Sequence, residues 1–169
     1  MNVNNLGKQF GRATIKAGID ILGKSVSPTY TISSSTASRL FVQNYFPSAK
    51  VTLFDKEYRI TTADYWKEMD AEIYDITKKQ WETDVYDCDD KAYTHKYWTL
   101  RIFGITQFTV YGTTHNLDGT FRNHHLWNAR IADGELYFFE PDGCHLLKVK
   151  KGEKNIIGNR EYRPISFEF

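Results

Sequence analysis

Residues 124–142 read HHLWNARIADGELYFFEPD, and this stretch decides how the second half of the chain folds. Two runs of strand-forming residues flank Asp133-Gly134, a strong signal for a short β-hairpin. If these two residues form the turn, Trp127 lies opposite Glu140 in the neighbouring strand. By the same register, His125 lies opposite Asp142. The stretch therefore predicts one antiparallel hairpin.

The hairpin predicts a polar cluster as well as a fold. Side chains alternate along a strand, so His125, Glu140 and Asp142 share one face. A carboxylate beside a histidine can fix its tautomer and orient it as a general base, and the register leaves both acids open for this role. The alternative interpretation is a surface histidine near a strand end with a solvated Glu140.

A thiol lies 37 residues before His125, in the run Asp87-Cys88-Asp89-Asp90. The pattern predicts a helix from Cys88 to about Leu100, and free backbone N–H groups at a helix start stabilise a thiolate. The three neighbouring carboxylates oppose that ionisation unless they cap the helix or bind a cation. The alternative is a small buried cysteine with no chemical role.

The elements predicted before and after residues 87–90 indicate the fold class. Short strands are predicted at 49–54 and 57–60. A helix follows, with a capping-box-like start at Thr61 and Asp64 and apolar residues spaced three and four apart. From Phe103 onward the chain alternates strand-like runs with turns. We therefore predict an α+β fold in which helices are followed by an antiparallel sheet.

Residues 1–36 differ in composition from the rest of the chain. Glycines interrupt a loosely amphipathic stretch, and a Ser/Thr-rich segment with Pro28 follows it. Residues 1–50 carry 6 basic and 1 acidic side chain, whereas residues 51–90 carry 5 and 12. We interpret residues 1–36 as an N-terminal extension and 37–169 as one domain. The basic extension either neutralises the acidic middle within the fold or binds a protein assembly partner.

Composition excludes several classes of protein. The chain has 169 residues, a net charge of +1 and 41% hydrophobic residues, so we expect a globular domain. It shows no apolar transmembrane segment and no secretion signal, which suggests a cytoplasmic or virion-associated protein. No basic stripe accompanies its aromatic residues, so nucleic acid is not an expected partner. Cys144-His145 has no usual zinc-ligand spacing towards Cys88, so the pair is interpreted as a turn.

Three motifs together resemble a known family. They read Asp-Cys-Asp-Asp-Lys-Ala from Asp87, His-Leu-Trp-Asn from His125 and Tyr-Phe-Phe-Glu-Pro from Tyr137. In order and spacing they are similar to the papain-like cysteine peptidase domain at the C-terminus of mushroom agglutinins. They also resemble the small transglutaminase-like cysteine peptidases of bacteriophages and bacteria. The likeness covers residues 60–145, about half of the chain.

The resemblance implies a papain-like fold and a thiol protease or related hydrolase acting on a peptide or protein. It makes Cys88 the nucleophile, His125 the general base and acid, and Glu140 the orienting acid, with Asp142 as the alternative. It implies Asp89 and Asp90 as ligands of calcium, and no other cofactor is expected. Helix capping by these aspartates is the alternative.

The sequence departs from the family pattern at three positions, where His124, Leu126 and Lys91 replace two small residues and an aromatic one. Bulk beside the imidazole narrows or blocks a cleft. The second hypothesis is therefore a catalytically inactive structural or interaction protein on the same fold. It would dock through residues 1–36 to a larger assembly such as a phage particle.

Overall fold

The computed structural model describes residues 29–77 and 87–169 as one sheet with helices packed against it. The strands are β1 (Thr29–Ser33), β2 (Lys50–Thr52), β3 (Glu57–Thr61), β4 (Phe108–Asn116), β5 (Phe121–Ala132), β6 (Glu135–Glu140), β7 (His145–Lys148), β8 (Ile156–Ile157) and β9 (Arg160–Glu168). The helices are α1 (Ser34–Thr36), continued by a π-helical turn at Ala37–Gln43, α2 (Ala63–Thr77), and α3 (Cys88–Trp98), continued by a π-helical turn at Thr99–Phe103. The predicted α+β class is confirmed as a broad class, since helices pack against one sheet. Neither described range contains a helix long and apolar enough to cross a bilayer.

The sheet is mixed. Its strand order is β1-β3-β5-β4-β9-β2, while β6 pairs with β5 and β7, and β8 pairs with β9. The pairs β2–β9 and β3–β5 are parallel and the others are antiparallel. The predicted order of helices followed by an antiparallel sheet is therefore wrong, because three strands precede α2 and two pairs are parallel. Strands of three to five residues carry little information about their partners, which packing with distant segments selects.

The hairpin of β5 and β6 forms with the predicted register. Ala132 pairs with Glu135, and pairing continues to Asn128 opposite Phe139. The turn residues Asp133-Gly134 have φ values of 50° and 74°, the left-handed backbone that a two-residue hairpin turn requires. Local turn chemistry thus fixed the register of the strand that carries His125.

Helix α2 begins where the sequence predicts, but two different side chains cap it. The backbone N–H of Tyr65 donates to Thr62 Oγ1 at 3.3 Å, so Thr62 caps the helix instead of Thr61. The N–H of Ala63 donates to Oδ2 of Asp133 at 2.9 Å, which anchors the helix to the hairpin turn. Its apolar residues are buried as the spacing predicts, namely Trp66, Met69 and Ile73.

Strand β1 lies inside the segment that the sequence assigns to the extension. It pairs antiparallel with β3, from Thr29 opposite Thr61 to Ser33 opposite Glu57. Residues 29–33 therefore belong to the sheet. Residues 1–28 lie outside the described residues, and their role in docking stays a prediction.

An aromatic cluster fixes the strand that carries His125. Trp127 is fully buried, and its ring meets Phe138 at 5.5 Å and Tyr162 at 5.2 Å between centroids, both edge-on. Burying an aromatic side chain of this kind stabilises a fold by roughly 1.5–3 kcal/mol. The imidazole of His125 stacks on Trp127 at 6.0 Å. The core therefore holds the histidine in a single place.

Candidate ligand-binding site

Cys88 is the first residue of α3, at the end of the helix where backbone N–H groups are free. The N–H of Asp87 donates to Oδ2 of Asp90 at 3.4 Å, and the N–H of Lys91 donates to the carbonyl of Asp87 at 3.0 Å. Asp90 therefore takes part in capping the helix. The Cys88 side chain is half-buried and carries a free thiol.

His125 connects this thiol to an acid. Its Nε2 lies 2.5 Å from Oε2 of Glu140, and the same imidazole hydrogen-bonds with Cys88. Burial disfavours the imidazolium, but the hydrogen bonds to Cys88 and Glu140 outweigh it and raise the pKa of His125 to about 9. The structure thus brings together the three residues that the sequence singled out as catalytic.

Glu140, and not Asp142, is the acid that contacts His125. Glu140 Oε2 also accepts a hydrogen bond from the Tyr162 hydroxyl at 2.9 Å, and its Oε1 accepts from the N–H of Asp142 at 3.2 Å. Burial and then the charge of Glu140 raise the pKa of Tyr162, which keeps its phenol protonated as a donor. Three donors therefore hold this carboxylate in place.

Asp142 forms an ion pair with the helix. Its Oδ1 lies 2.6 Å from Nζ of Lys91, whose side chain is buried. This pair joins the first turn of α3 to the turn after β6, so it links the two elements that carry Cys88 and Glu140. Lys91 replaces the aromatic residue of the family pattern, and here it serves as a link across the site.

Asn128 ties helix α3 to the sheet instead of contacting His125. It is fully buried, and its Nδ2 donates to the carbonyls of Ala92 at 3.1 Å and Phe108 at 3.4 Å. Each contact comes from a different element, one from α3 and one from β4. The amide therefore ties the helix that bears Cys88 to the centre of the sheet.

Gly112 lies directly opposite His125 in the pairing of β4 with β5. A Cβ atom there would overlap the carbonyl of Arg163 and come within 2.6 Å of the Trp127 ring. Only glycine allows β9 and the indole to approach this closely. No local pattern marks this position, because the clash comes from residues far from it along the chain.

A buried ionic network lies behind the site. Arg130 is inaccessible to solvent and donates to both oxygens of Asp70, at 2.7 and 2.6 Å, and to Oε1 of Gln107 at 2.8 Å. Its guanidinium lies between the rings of Trp66 and Phe139, at 4.0 and 3.6 Å from their centroids. The network joins α2 to the sheet, and sequence reasoning missed it because its partners are 60 residues apart.

The predicted calcium ligands occupy different environments. Asp89 lies beside Asp87 and Cys88, with one ligand atom from each residue within 4.8 Å of the others, whereas Asp90 belongs to the helix cap. A hydrogen bond with Asp87 and partial burial raise the pKa of Asp89, as for two carboxyl groups that share a site. Calcium binding stays a prediction.

Within the described ranges, no group of three metal-ligating side chains includes Cys144 or His145. Cys144 has a positive φ of 53° in the turn between β6 and β7. Burial raises the pKa of its thiol to about 11. Cys144 therefore lies in a turn as the sequence predicts, whereas His145 is the first residue of β7.

A pocket of about 370 Å³ opens beside His125 and Glu140. Its lining is mostly polar and includes residues that sequence reasoning missed, namely Arg122, Asn159, Arg160 and Tyr162. The missed residues come from the ends of β5 and β9, which lie on either side of β4. No local motif marks them, since only the strand order brings them to one place.

Comparison with known proteins finds the fold among solved structures. No family model matches the chain. No curated protein matches it either. One similar structure, described as the PSL1a-E64 complex, has 16% sequence identity and a TM-score of 0.57, and the match covers 82% of this chain and 51% of that one. Another is Polyporus squamosus lectin bound to the human-type influenza-binding epitope Neu5Acα2-6Galβ1-4GlcNAc, at 15% identity and a TM-score of 0.54, with 82% and 49% covered. The chain thus spans about half the length of these structures.

These matches correct the family and the function inferred from the motifs. One of these solved structures is described as a lectin and neither is described as a peptidase, so the identification with papain-like or transglutaminase-like cysteine peptidases is wrong. The thiol hydrolase function built on that identification, with its peptide substrate, is withdrawn with it. The physical reason is that a fold, and even a cysteine–histidine–acid geometry within it, does not determine a chemistry.

Proposed function

We propose that this chain is a binding protein whose ligand is a carbohydrate held in the pocket beside His125. The observation that carries the proposal is the lining of the pocket. It offers amide, carboxylate, imidazole and guanidinium groups, and sugar hydroxyls both donate to and accept from such groups. Its volume of about 370 Å³ lies in the range of small-molecule sites.

Rigid placement of these groups supports binding. Glu140 and Tyr162 are buried and bonded to each other, while Asp142 is fixed by Lys91 but more than half exposed. Asn159 is exposed at the rim. A pre-formed wall with an accessible polar rim loses little conformational freedom when a ligand enters.

The likeness in fold to Polyporus squamosus lectin is consistent with this proposal. That protein binds a sialylated trisaccharide, and the present chain corresponds to about half of its length. Carbohydrate binding by this chain rests on the pocket, and the likeness supplies the first ligands to try.

Ligand-observed NMR with the full chain tests the proposal. The probes are Galβ1-4GlcNAc, its α2-6 sialylated form and trimers of galactose and galacturonic acid. We expect saturation transfer to at least one of them, and about a tenfold loss of affinity in Asn159→Ala or Asp142→Ala from one lost hydrogen-bonding group. Lys67→Ala, on the exposed side of α2, is the matched control. Absence of binding by every sugar, or binding that neither pocket variant weakens, would refute the proposal.

The roles of individual residues form a separate proposal. Cys88 is a reactive thiol, His125 its hydrogen-bonding partner, and Glu140 the acid that orients the imidazole. Calcium binding through the carboxylate of Asp89 is a further proposal, and Asp89→Asn tests it. We expect 1 mM calcium to raise the Tm of the wild-type chain but not of this variant, because a ligand that binds only the folded state stabilises it. Equal shifts in both proteins would contradict a site at Asp89.

Docking to a larger assembly is tested by deleting residues 1–28, a truncation that leaves β1 in place. The earlier boundary at residue 36 would remove a strand of the sheet and confuse loss of folding with loss of docking. We expect the truncated chain to fold and to fail to co-sediment with the assembly from its native source. Co-sedimentation of the truncated chain would show that residues 1–28 do not dock.

A further inference from the structure

The pocket beside His125 has an imbalance of charge. Its two carboxylates already have partners, since Glu140 bonds with His125 and Tyr162, and Asp142 pairs with Lys91. Neither of its two arginines, Arg122 and Arg160, forms an ion pair or a side-chain hydrogen bond with any residue in the described ranges. Among the residues that the structure describes, these two guanidinium groups therefore have no counter-ion.

The sheet directs both arginines towards the same space. Arg160 begins β9 and pairs with Asn116 of β4, while Phe121, the neighbour of Arg122, pairs with His115 of the same strand. The two backbones thus lie on either side of β4, about 10 Å apart at the usual strand spacing. An arginine side chain is long enough for both guanidinium groups to contact one group placed between them.

His125 adds no unpaired positive charge to the pocket, because its imidazole is bonded to Glu140. The excess positive charge of the pocket therefore comes from Arg122 and Arg160. Guanidinium groups match planar anions through paired N–H donors, which gives them preference for carboxylate, sulfate or phosphate. The positive charge therefore favours an anionic group on the ligand.

We propose that the carbohydrate bound here is acidic, and that Arg122 and Arg160 together contact its anionic group. This inference rests on the proposed function and adds the chemical class of the ligand. Ligand hydroxyls contact the amide and carboxylate groups of the pocket, and the acid lies between the guanidinium groups. The site thus distinguishes an acidic sugar from its neutral counterpart.

Calorimetric titration of the full chain tests this with trigalacturonic acid, galactotriose and citrate. We expect the acidic trimer to bind about tenfold or more tightly than the neutral one, because a charge-assisted hydrogen bond contributes about 1.5–3 kcal/mol. Arg122→Gln and Arg160→Gln should each remove most of that preference. Arg163→Gln, on the same strand but paired with Glu161, is the matched control and should leave it unchanged. Raising sodium chloride from 0.1 to 0.5 M should weaken the acidic trimer selectively.

The outcomes separate this inference from the proposed function. Equal affinity for the acidic and neutral trimers would overturn the acidic ligand and leave carbohydrate binding intact. Citrate that binds as tightly as the acidic trimer, with the same loss in both arginine variants, would support the anion site and count against a carbohydrate ligand. Absence of binding by all three compounds would overturn both.

Discussion

Replacing Glu140 by glutamine removes the charge beside His125 and keeps the shape of the side chain. In the folded chain the pKa of His125 is about 9, compared with 6.5 for an unperturbed histidine. At 1.36 kcal/mol per unit, this difference corresponds to about 3 kcal/mol of stability. Because the pKa is raised on folding, the contribution is fully present below pH 6.5 and is lost as the pH rises to about 9. Glu140→Gln should lower the pKa of His125 by at least one unit, about a third to a half of the total effect, since the hydrogen bond with Cys88 remains.

Two measurements check this prediction. NMR titration of the His125 ring gives the pKa directly, and urea unfolding at pH 6 and pH 9.5 gives the stability that is lost between them. The wild-type chain should lose about 1–2 kcal/mol more over this interval than Glu140→Gln. Asp142→Asn is the matched control, because Asp142 carries a carboxylate in the adjoining turn but pairs with Lys91 instead of His125. Cys88→Ser measures how much of the raised pKa of His125 comes from the Cys88 thiol.

The reasoning would be refuted if Glu140→Gln left the pKa of His125 unchanged, or if Asp142→Asn lowered it by as much. Either result would mean that the raised pKa of His125 does not depend specifically on Glu140. The distance of 2.5 Å between His125 Nε2 and Glu140 Oε2 would then have no electrostatic consequence.

Three further predictions concern the surroundings of the site. Asp70→Ala should lower the free energy of unfolding by about 3–5 kcal/mol in urea titrations, because it leaves the buried Arg130 cation without its anion. Gly112→Ala should cost about 1–3 kcal/mol and shift the His125 NMR signals, because the added methyl group forces strands apart. Iodoacetamide at pH 8 should alkylate Cys88 well before Cys144, as read by peptide mass spectrometry, because burial raises the pKa of the second thiol to about 11.

Control variants show whether each of these three effects comes from the residue that is changed. Asp64→Ala removes an exposed ion pair on α2 and should leave stability unchanged within error, unlike Asp70→Ala. His125→Ala should slow the alkylation of Cys88 and leave that of Cys144 as it was. Equal labelling of the two cysteines, a stable Asp70→Ala protein, or unshifted His125 signals in Gly112→Ala would each contradict the corresponding prediction.

The motifs identified three residues that lie together in the structure, but they indicated the wrong family. Cys88, His125 and Glu140 meet as their order and spacing suggested, with the helix start and the hairpin carrying them. The peptidase activity was implied only by a resemblance of motifs, and the solved structures of similar fold do not support it. A site of this kind is defined by its geometry, while its ligand depends on the pocket around it.

The sequence by itself determined the local features. Asp133-Gly134 set the hairpin and its register through backbone preferences, and apolar spacing placed α2 and its buried face. The tertiary structure alone decided that Glu140, and not Asp142, contacts His125, that Tyr162 holds Glu140 from 22 residues away, and that Arg130 pairs with Asp70 from 60 residues away. Contacts between neighbours along the chain follow from periodicity and turn chemistry, whereas these contacts depend on the order of strands in the sheet, which no local pattern encodes.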